Sequence, residues 1–303
     1  MSKNFVAGLI NIETTLKVDG FPIPYFPVRY PFFGVNSSVS GVGYNVAKAL
    51  TLLEDRVQFA SLIGQDLAAE SVRRSLVRDG IPDGLVLSEL AHTAQSVILY
   101  DTEGKRQIHT DLKDIQERQF PVEQALAGLQ GCDLAVLCDI NFARPMLQMA
   151  KGFDIPIATD AHTLGSLDDA FHQDFLKSAN IVFLSDEKLS EPPERFARSM
   201  IDRFGTDIVV IGQGARGALL VMRDEGNIID VPAVYTRPVI NTIGAGDALF
   251  SCFLHEYTKG KNANRALQRA SVFASYKIGS VGAAEGFLDE SSLDYWSDRL
   301  GIG

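Results

Sequence analysis

Apolar residues in this chain fall in short continuous runs separated by longer amphipathic stretches. Phe5 to Ile12 is nearly all apolar, as are Val57 to Ile63, Leu134 to Cys138, Ile181 to Leu184 and Ile208 to Ile211. Runs this short, apolar on both faces, predict strands of a parallel sheet covered on two sides. Ile155 to Asp160 repeats the pattern. Asp66 to Arg78, Val122 to Leu129, Ala248 to Tyr257, Ala263 to Ile278 and Ser291 to Leu300 have helical patterning instead. Strand and helix alternating at this spacing predict an α/β fold, with a central, mostly parallel sheet, helices on both faces, and a ligand crevice at the strand C-termini. The polar residues Asn11, Asp139, Asp160 and Asp247 stand where such a crevice would be, with Glu13 beside Asn11.

Two segments break this rhythm. The runs 94–100 and 106–111 alternate apolar and polar positions around Asp101-Thr102-Glu103-Gly104, which reads as a hairpin. Between Leu16 and Asn36, Pro22, Pro24, Pro27 and Pro31 are interleaved with Phe21, Tyr25, Phe26, Tyr30, Phe32 and Phe33. Proline at that density excludes a helix and confines strand pairing to edges, while the rings need something to cover.

Composition narrows the function classes. A chain of 303 residues, 46% of them apolar, can bury one large core. A formal charge of −10 and a pI near 5.0 argue against nucleic acid as a partner and suit a small-molecule ligand. The three cysteines lack metal-type spacing and fit reduced, buried thiols, and the histidines form no metal spacing either. No signal-type leader and no membrane-length apolar run is present, so a soluble, cytoplasmic protein is expected.

The chemistry centres on Asn241-Thr242-Ile243-Gly244-Ala245-Gly246-Asp247, where three small residues and a carboxylate open a helix. A turn that presents successive backbone N–H groups at a helix N-terminus is an anion site. The same residues also read as an ordinary tight turn with Asp247 capping the helix.

This run resembles the D-T-x-G-A-G-D signature of the PfkB, or ribokinase-like, family of carbohydrate and nucleoside kinases. Further similarities lie in Ser40-Gly41 to Asn45 and Ala47, which is similar to the family's G-G-x-x-x-N-x-A, in Asn11 and Glu13 for its N-x-D, and in Gly212, Gly214 and Gly217 for its T-x-G-x-x-G. Ser185 and Glu187 stand for its N-x-x-E. The resemblance implies a ribokinase-like three-layer sandwich over residues 1–303 as a single domain, with a small β lid from segments near 14–36 and 94–111. It implies Asp247 as general base and Gly244, Ala245 and Gly246 as an anion hole. Substrate would be held by Asn11, Glu13, Gly41, Asn45 and Asp139, and nucleotide by Thr242, Gly212, Gly214 and Gly217. ATP and Mg²⁺ are implied, with Glu187 reaching the metal through water. Asn241, in place of the family's usual aspartate, puts the monovalent-cation site in doubt, and Val42 stands where ribokinase proper has a lysine.

The expected activity is phosphorylation of a primary hydroxyl of a sugar. A nucleoside kinase of the same family is the alternative, and Ser185, Lys188 and Asn241 leave a third reading, a ligand-binding or regulatory relative with weak turnover. A monomer or a lid-mediated homodimer is expected. Asp66 reads as a helix N-cap, Arg106 as a solvated edge residue, and His255 as packing or facing solvent.

Overall fold

In the computed structural model, which describes residues 1–224 and 228–302, the apolar runs form the strands of one sheet and the amphipathic stretches cover it. The first third of the chain contributes β1 (Lys3–Ala7), β2 (Asn11–Lys17), β3 (Val35–Ser40), α1 (Val42–Leu52), β4 (Arg56–Leu62), α2 (Leu67–Arg78), β5 (Val86–Leu87), β6 (Gln95–Tyr100) and β7 (Arg106–Asp111). There follow α3 (Val122–Leu129), β8 (Leu134–Leu137), α4 (Arg144–Gly152), β9 (Ile157–Thr163), α5 (Gln173–Leu176), β10 (Ile181–Ser185), α6 (Pro193–Phe204) and β11 (Ile208–Gly212). The last third holds β12 (Ala218–Met222), β13 (Ile228–Val231), α7 (Ala245–Gly260), α8 (Ala263–Lys277) and α9 (Glu290–Arg299).

The large sheet runs β13-β12-β11-β10-β9-β8-β1-β4-β5. Its pairs from β11 to β5 are parallel, and β12 and β13 add an antiparallel edge. Successive residues of each strand face opposite layers. Val6, Phe59, Val136, Phe183 and Val210 pack with Phe250, Phe253 and Phe273 from α7 and α8. Phe5, Ala7, Leu137, Val182 and Val209 pack instead with Leu147 and Met200 from α4 and α6. The result is the expected three-layer ribokinase-like sandwich, with the strand C-termini opening toward a smaller sheet. Asp66 caps α2 as expected, accepting from Ala69 N at 3.0 Å, and its carboxylate also accepts from Thr93 N and Oγ1.

The apolar run 5–12 is not one strand. β1 ends at Ala7, and Gly8 then passes close to its neighbours: a Cβ there would sit 2.6 Å from Cys138 Sγ and 2.8 Å from Gly43 Cα. The chain turns and restarts as β2, so Asn11 and Glu13 belong to the small sheet and not to the end of β1.

That small sheet has the order β3-β2-β6-β7. In β2 the polar Asn11, Glu13 and Thr15 are buried while Ile12 and Leu16 are only partly so, the reverse of an ordinary half-buried strand. Ile98 and Tyr100 of β6 pack on Ile243 and Ala283, which fastens the small sheet to the turn that precedes Asp247. Every residue of β7 is exposed. Most of the aromatic segment faces outward: Tyr25 is 90% exposed, and Phe26, Tyr30, Phe32 and Phe33 are exposed with it.

Candidate active site

The turn before α7 has one residue that must be glycine. Gly244 has φ 74°, and a Cβ on it would lie 2.5 Å from the carbonyl oxygen of Ala283. L-residues rarely adopt that backbone, and here the space is closed as well. Ala245 N–H is bonded within the turn, to Thr242 O at 3.2 Å, and Ala248 N–H to Gly244 O at 3.1 Å. The N–H groups of Gly244, Gly246 and Asp247 have no protein acceptor among the described residues. Space beside Gly246 is open. Of the expected anion hole, Gly244 and Gly246 therefore offer free donors at a helix N-terminus, while Ala245 spends its amide on the turn.

Asp247 sits in the first turn of α7, 9% exposed, and Asn45 Nδ2 donates to its Oδ2 at 2.6 Å. Burial raises its carboxyl pKa, against the opposing pull of the Asn45 hydrogen bond. Ser40 Oγ stands 3.3 Å from Asn45 Oδ1 and 3.0 Å from Glu13 Oε2, and Glu13 Oε1 accepts from Ala283 N at 3.3 Å. Burial raises Glu13 as well. A continuous polar chain thus runs from Asp247 through Asn45 and Ser40 to Glu13. Asn11 joins the same face by donating to Ser96 Oγ at 3.1 Å, but its own Oδ1 is buried with no partner. A buried carbonyl left unpaired costs about 1–3 kcal/mol, so a hydroxyl donor from a ligand fits there. Gly41 is held at φ 107°, with no room for a Cβ against Leu9 O at 2.6 Å.

Asp139 follows β8 and is flanked by two imidazoles: His162 Nε2 lies 3.2 Å from Oδ1 and His172 Nε2 3.1 Å from Oδ2. Burial would raise this carboxyl, but His162 and His172 override it and hold it at about 2. Asp160 lies behind His162, accepting from its backbone N at 2.9 Å, and burial pushes Asp160 up to about 6. Enclosing a charge on His162 is unfavourable, yet Asp139 and Asp160 outweigh that and hold it well above the usual histidine range. The His162 side chain is 42% exposed and its backbone has φ 51°. The absence of metal spacing in the sequence concealed this pair, because the two histidines meet at Asp139 only in space. Their one signal in the sequence is that His162 stands two residues after Asp160, both within β9.

Arg106 lies on the exposed edge strand β7, as expected, but its guanidinium is not free. Its Nη1 donates to Thr242 Oγ1 at 3.0 Å and its Nη2 to Glu187 Oε1 at 3.0 Å, so it ties β7 to the segments on either side of the crevice. Glu187 N is capped by Ser185 Oγ at 3.3 Å, and Ser185 pairs with Gly212 in the β10–β11 ladder. The turn carrying Gly212, Gly214 and Gly217 therefore lies beside Glu187. Gly217 serves the fold, since a Cβ there would lie 2.0 Å from Val231 O. Asn241 holds the turn with its amide: Oδ1 accepts from Ile243 N at 3.0 Å and Nδ2 donates to Val281 O at 2.8 Å. His255 is buried between Asp55, at 2.8 Å, and Glu290, at 2.9 Å, away from the crevice.

The sequence profile of the pfkB family carbohydrate kinases matches residues 1–290. The chain belongs to the PfkB family. Among its PfkB relatives is the acarbose 7(IV)-phosphotransferase of an Actinoplanes species, 25% identical across 95% of this chain and 96% of that one. A deoxyribokinase of Salmonella typhi is 24% identical across 86% and 87%. The solved structure of a microbiome-derived acarbose kinase, Mak1, superposes with a TM-score of 0.87 over 98% of this chain and 99% of that one, at 23% identity. As a PfkB kinase the chain is a phosphotransferase with an alcohol group as acceptor. Among the described residues, no helix is long and apolar enough to cross a membrane.

Proposed function

We propose that this PfkB kinase transfers the γ-phosphoryl group of ATP to a primary hydroxyl of a sugar, with Asp247 as general base. The observation that carries this reading is the pairing of a buried, hydrogen-bonded Asp247 with unpartnered Gly244 and Gly246 N–H groups in one helical turn. In the step itself, the acceptor oxygen bonds to the γ-phosphorus, the bond to the β–γ bridging oxygen breaks, and the acceptor proton passes to the Asp247 carboxylate as ADP leaves. A base with a raised pKa suits that role, and backbone donors suit the charge that develops on the phosphoryl oxygens. Asn11, with its unpartnered Oδ1, and Glu13 hold acceptor hydroxyls, Asp139 meets the acceptor through its histidine neighbours, and Gly41 presents its backbone.

The nucleotide side takes Thr242, Gly212 and Gly214. Mg²⁺ supplies neutralisation of the phosphate charge when bound. The residues fit it: Glu187 is an exposed carboxylate joined through Arg106 to Thr242, and a metal that keeps most of its waters needs no more from the protein. Residues 1–303 act as one kinase unit in this reading, with 14–36 and 94–111 as the lid that excludes water from the transfer. The exposed rings of 25–33 are the feature that would suit a flat nucleoside base, and the screen below decides between the two acceptor classes.

The test is a thermal-shift screen with Mg·ADP, using acarbose, ribose, 2-deoxyribose, other sugars and nucleosides, followed by ADP release from ATP with each hit. A sugar that stabilises the protein and becomes phosphorylated upholds the reading. Turnover on nucleosides alone moves the assignment to the nucleoside kinase, and a stabilising sugar without turnover moves it to the ligand-binding relative.

A further inference from the structure

Lys277, the last residue of α8, has no exposed surface at all. A lysine enclosed this way costs several kcal/mol unless its charge is used or offset. Among the described residues no carboxylate lies within ion-pair distance of it. Its ammonium instead donates to the backbone carbonyl of Ile243. Glu13 on β2, Asp247 on α7 and Glu285 in the loop after α8 act on it from further away, and Arg237 opposes them.

The carbonyl of Ile243 and the N–H of Gly244 are two ends of one peptide unit. That unit is planar and trans, so its C=O and N–H point in opposite directions. Anchoring the carbonyl on Lys277 turns the Gly244 N–H away from α8, which is consistent with its lack of a protein acceptor. A cation on the carbonyl also polarises the amide and makes its N–H a stronger donor. Asn241 pins the other side of Ile243 through the Ile243 N–H, with a neutral amide that adds no charge to the turn.

We propose that Lys277 is a positioning residue for phosphoryl transfer, a built-in ammonium that fixes the 243–244 peptide and charges the anion-binding turn, so that the turn works without a diffusible monovalent cation. Burial lowers the Lys277 pKa to about 8 in spite of Glu13, Asp247 and Glu285. Its charge is therefore present at neutral pH and lost as pH rises through about 8.

The inference rests on the kinase reading, and its test reads binding. Calorimetry compares Mg·AMP-PNP, which carries a γ-phosphoryl group, with Mg·ADP, which does not, for the wild type and Lys277→Met. The preference for AMP-PNP over ADP should fall about tenfold in Lys277→Met. It should fall similarly in the wild type between about pH 7 and about pH 9, with no such step in the variant. Ammonium chloride should restore part of the variant's preference, measured against tetramethylammonium chloride at equal ionic strength, and leave the wild type unchanged. An unchanged preference in a variant with native circular dichroism overturns the inference alone, as does a wild type flat across that pH range. If Lys277→Met does not fold, the wild-type pH step decides. If the wild type binds neither nucleotide, the kinase reading fails and this inference falls with it.

Discussion

The two ends of the crevice are built from different materials. In the proposed reading the phosphoryl end uses backbone amides of one turn, with a carboxylate in the same helical turn and the buried Lys277 ammonium behind it. The proposed acceptor end uses side chains drawn from β2, α1, β6 and β9 and from the segments after β8 and β9. The difference follows from the chemistry. The phosphoryl group is the same in every turnover, so its site can be fixed in the backbone, where no side-chain entropy is lost on reaction. The acceptor is what distinguishes one kinase from another, and side chains are what sequence change can replace.

The comparison breaks most sharply at Gly244. Gly244→Ala forces an L-residue to φ 74° with its Cβ against Ala283 O, so the whole turn must shift. We expect a fall in kcat on the order of 10² to 10³, the scale of losing one oxyanion donor, with acceptor KM little changed in steady-state assays. A normal kcat would mean the turn does not bind the transferring group. Next in size is Arg106→Ala, which cuts the link from β7 to Thr242 and Glu187. It should weaken Mg·ATP binding about tenfold by calorimetry. Asp139→Asn should act on the other end: acceptor KM rises up to about tenfold while kcat stays within about threefold, the signature of uniform binding. An equal drop in kcat would move Asp139 into the chemistry. The smallest effect is a displaced acid limb. Asp247 must be ionised to accept a proton and its pKa is raised by burial, so rate is present above that pKa and lost as pH falls through it. The limb should lie above the ordinary aspartate value, and Asp139, held at about 2, cannot produce it.

How much of this could be read from sequence divides along the same line. The proposed phosphoryl end is local: Gly244, Gly246 and Asp247 are neighbours in the chain, and their types already announce the tight turn and helix start that the structure has. The parallel sheet was equally legible, since strands buried on both faces leave unbroken apolar runs such as 181–184 and 208–211. The acceptor end is long-range. Asp139, His162 and His172 are separated in sequence and united only by the topology of β8 and β9. Asn11 and Glu13 stand out in the sequence as polar residues in an apolar run, but their placement on the small sheet depends on a break after Ala7, which sequence periodicity does not mark. Lys277 gave no signal, because a lysine ending a helix is ordinarily a solvated one.

The most direct test of the account is single-turnover phosphoryl transfer by Asp247→Asn, with the acceptor identified by the ligand screen and nucleotide affinity measured on the same protein. The account predicts transfer slower by on the order of 10² or more, with Mg·ATP bound as in the wild type. Transfer at the wild-type rate would contradict it, because the proton would then leave the acceptor without the carboxylate around which the crevice is arranged.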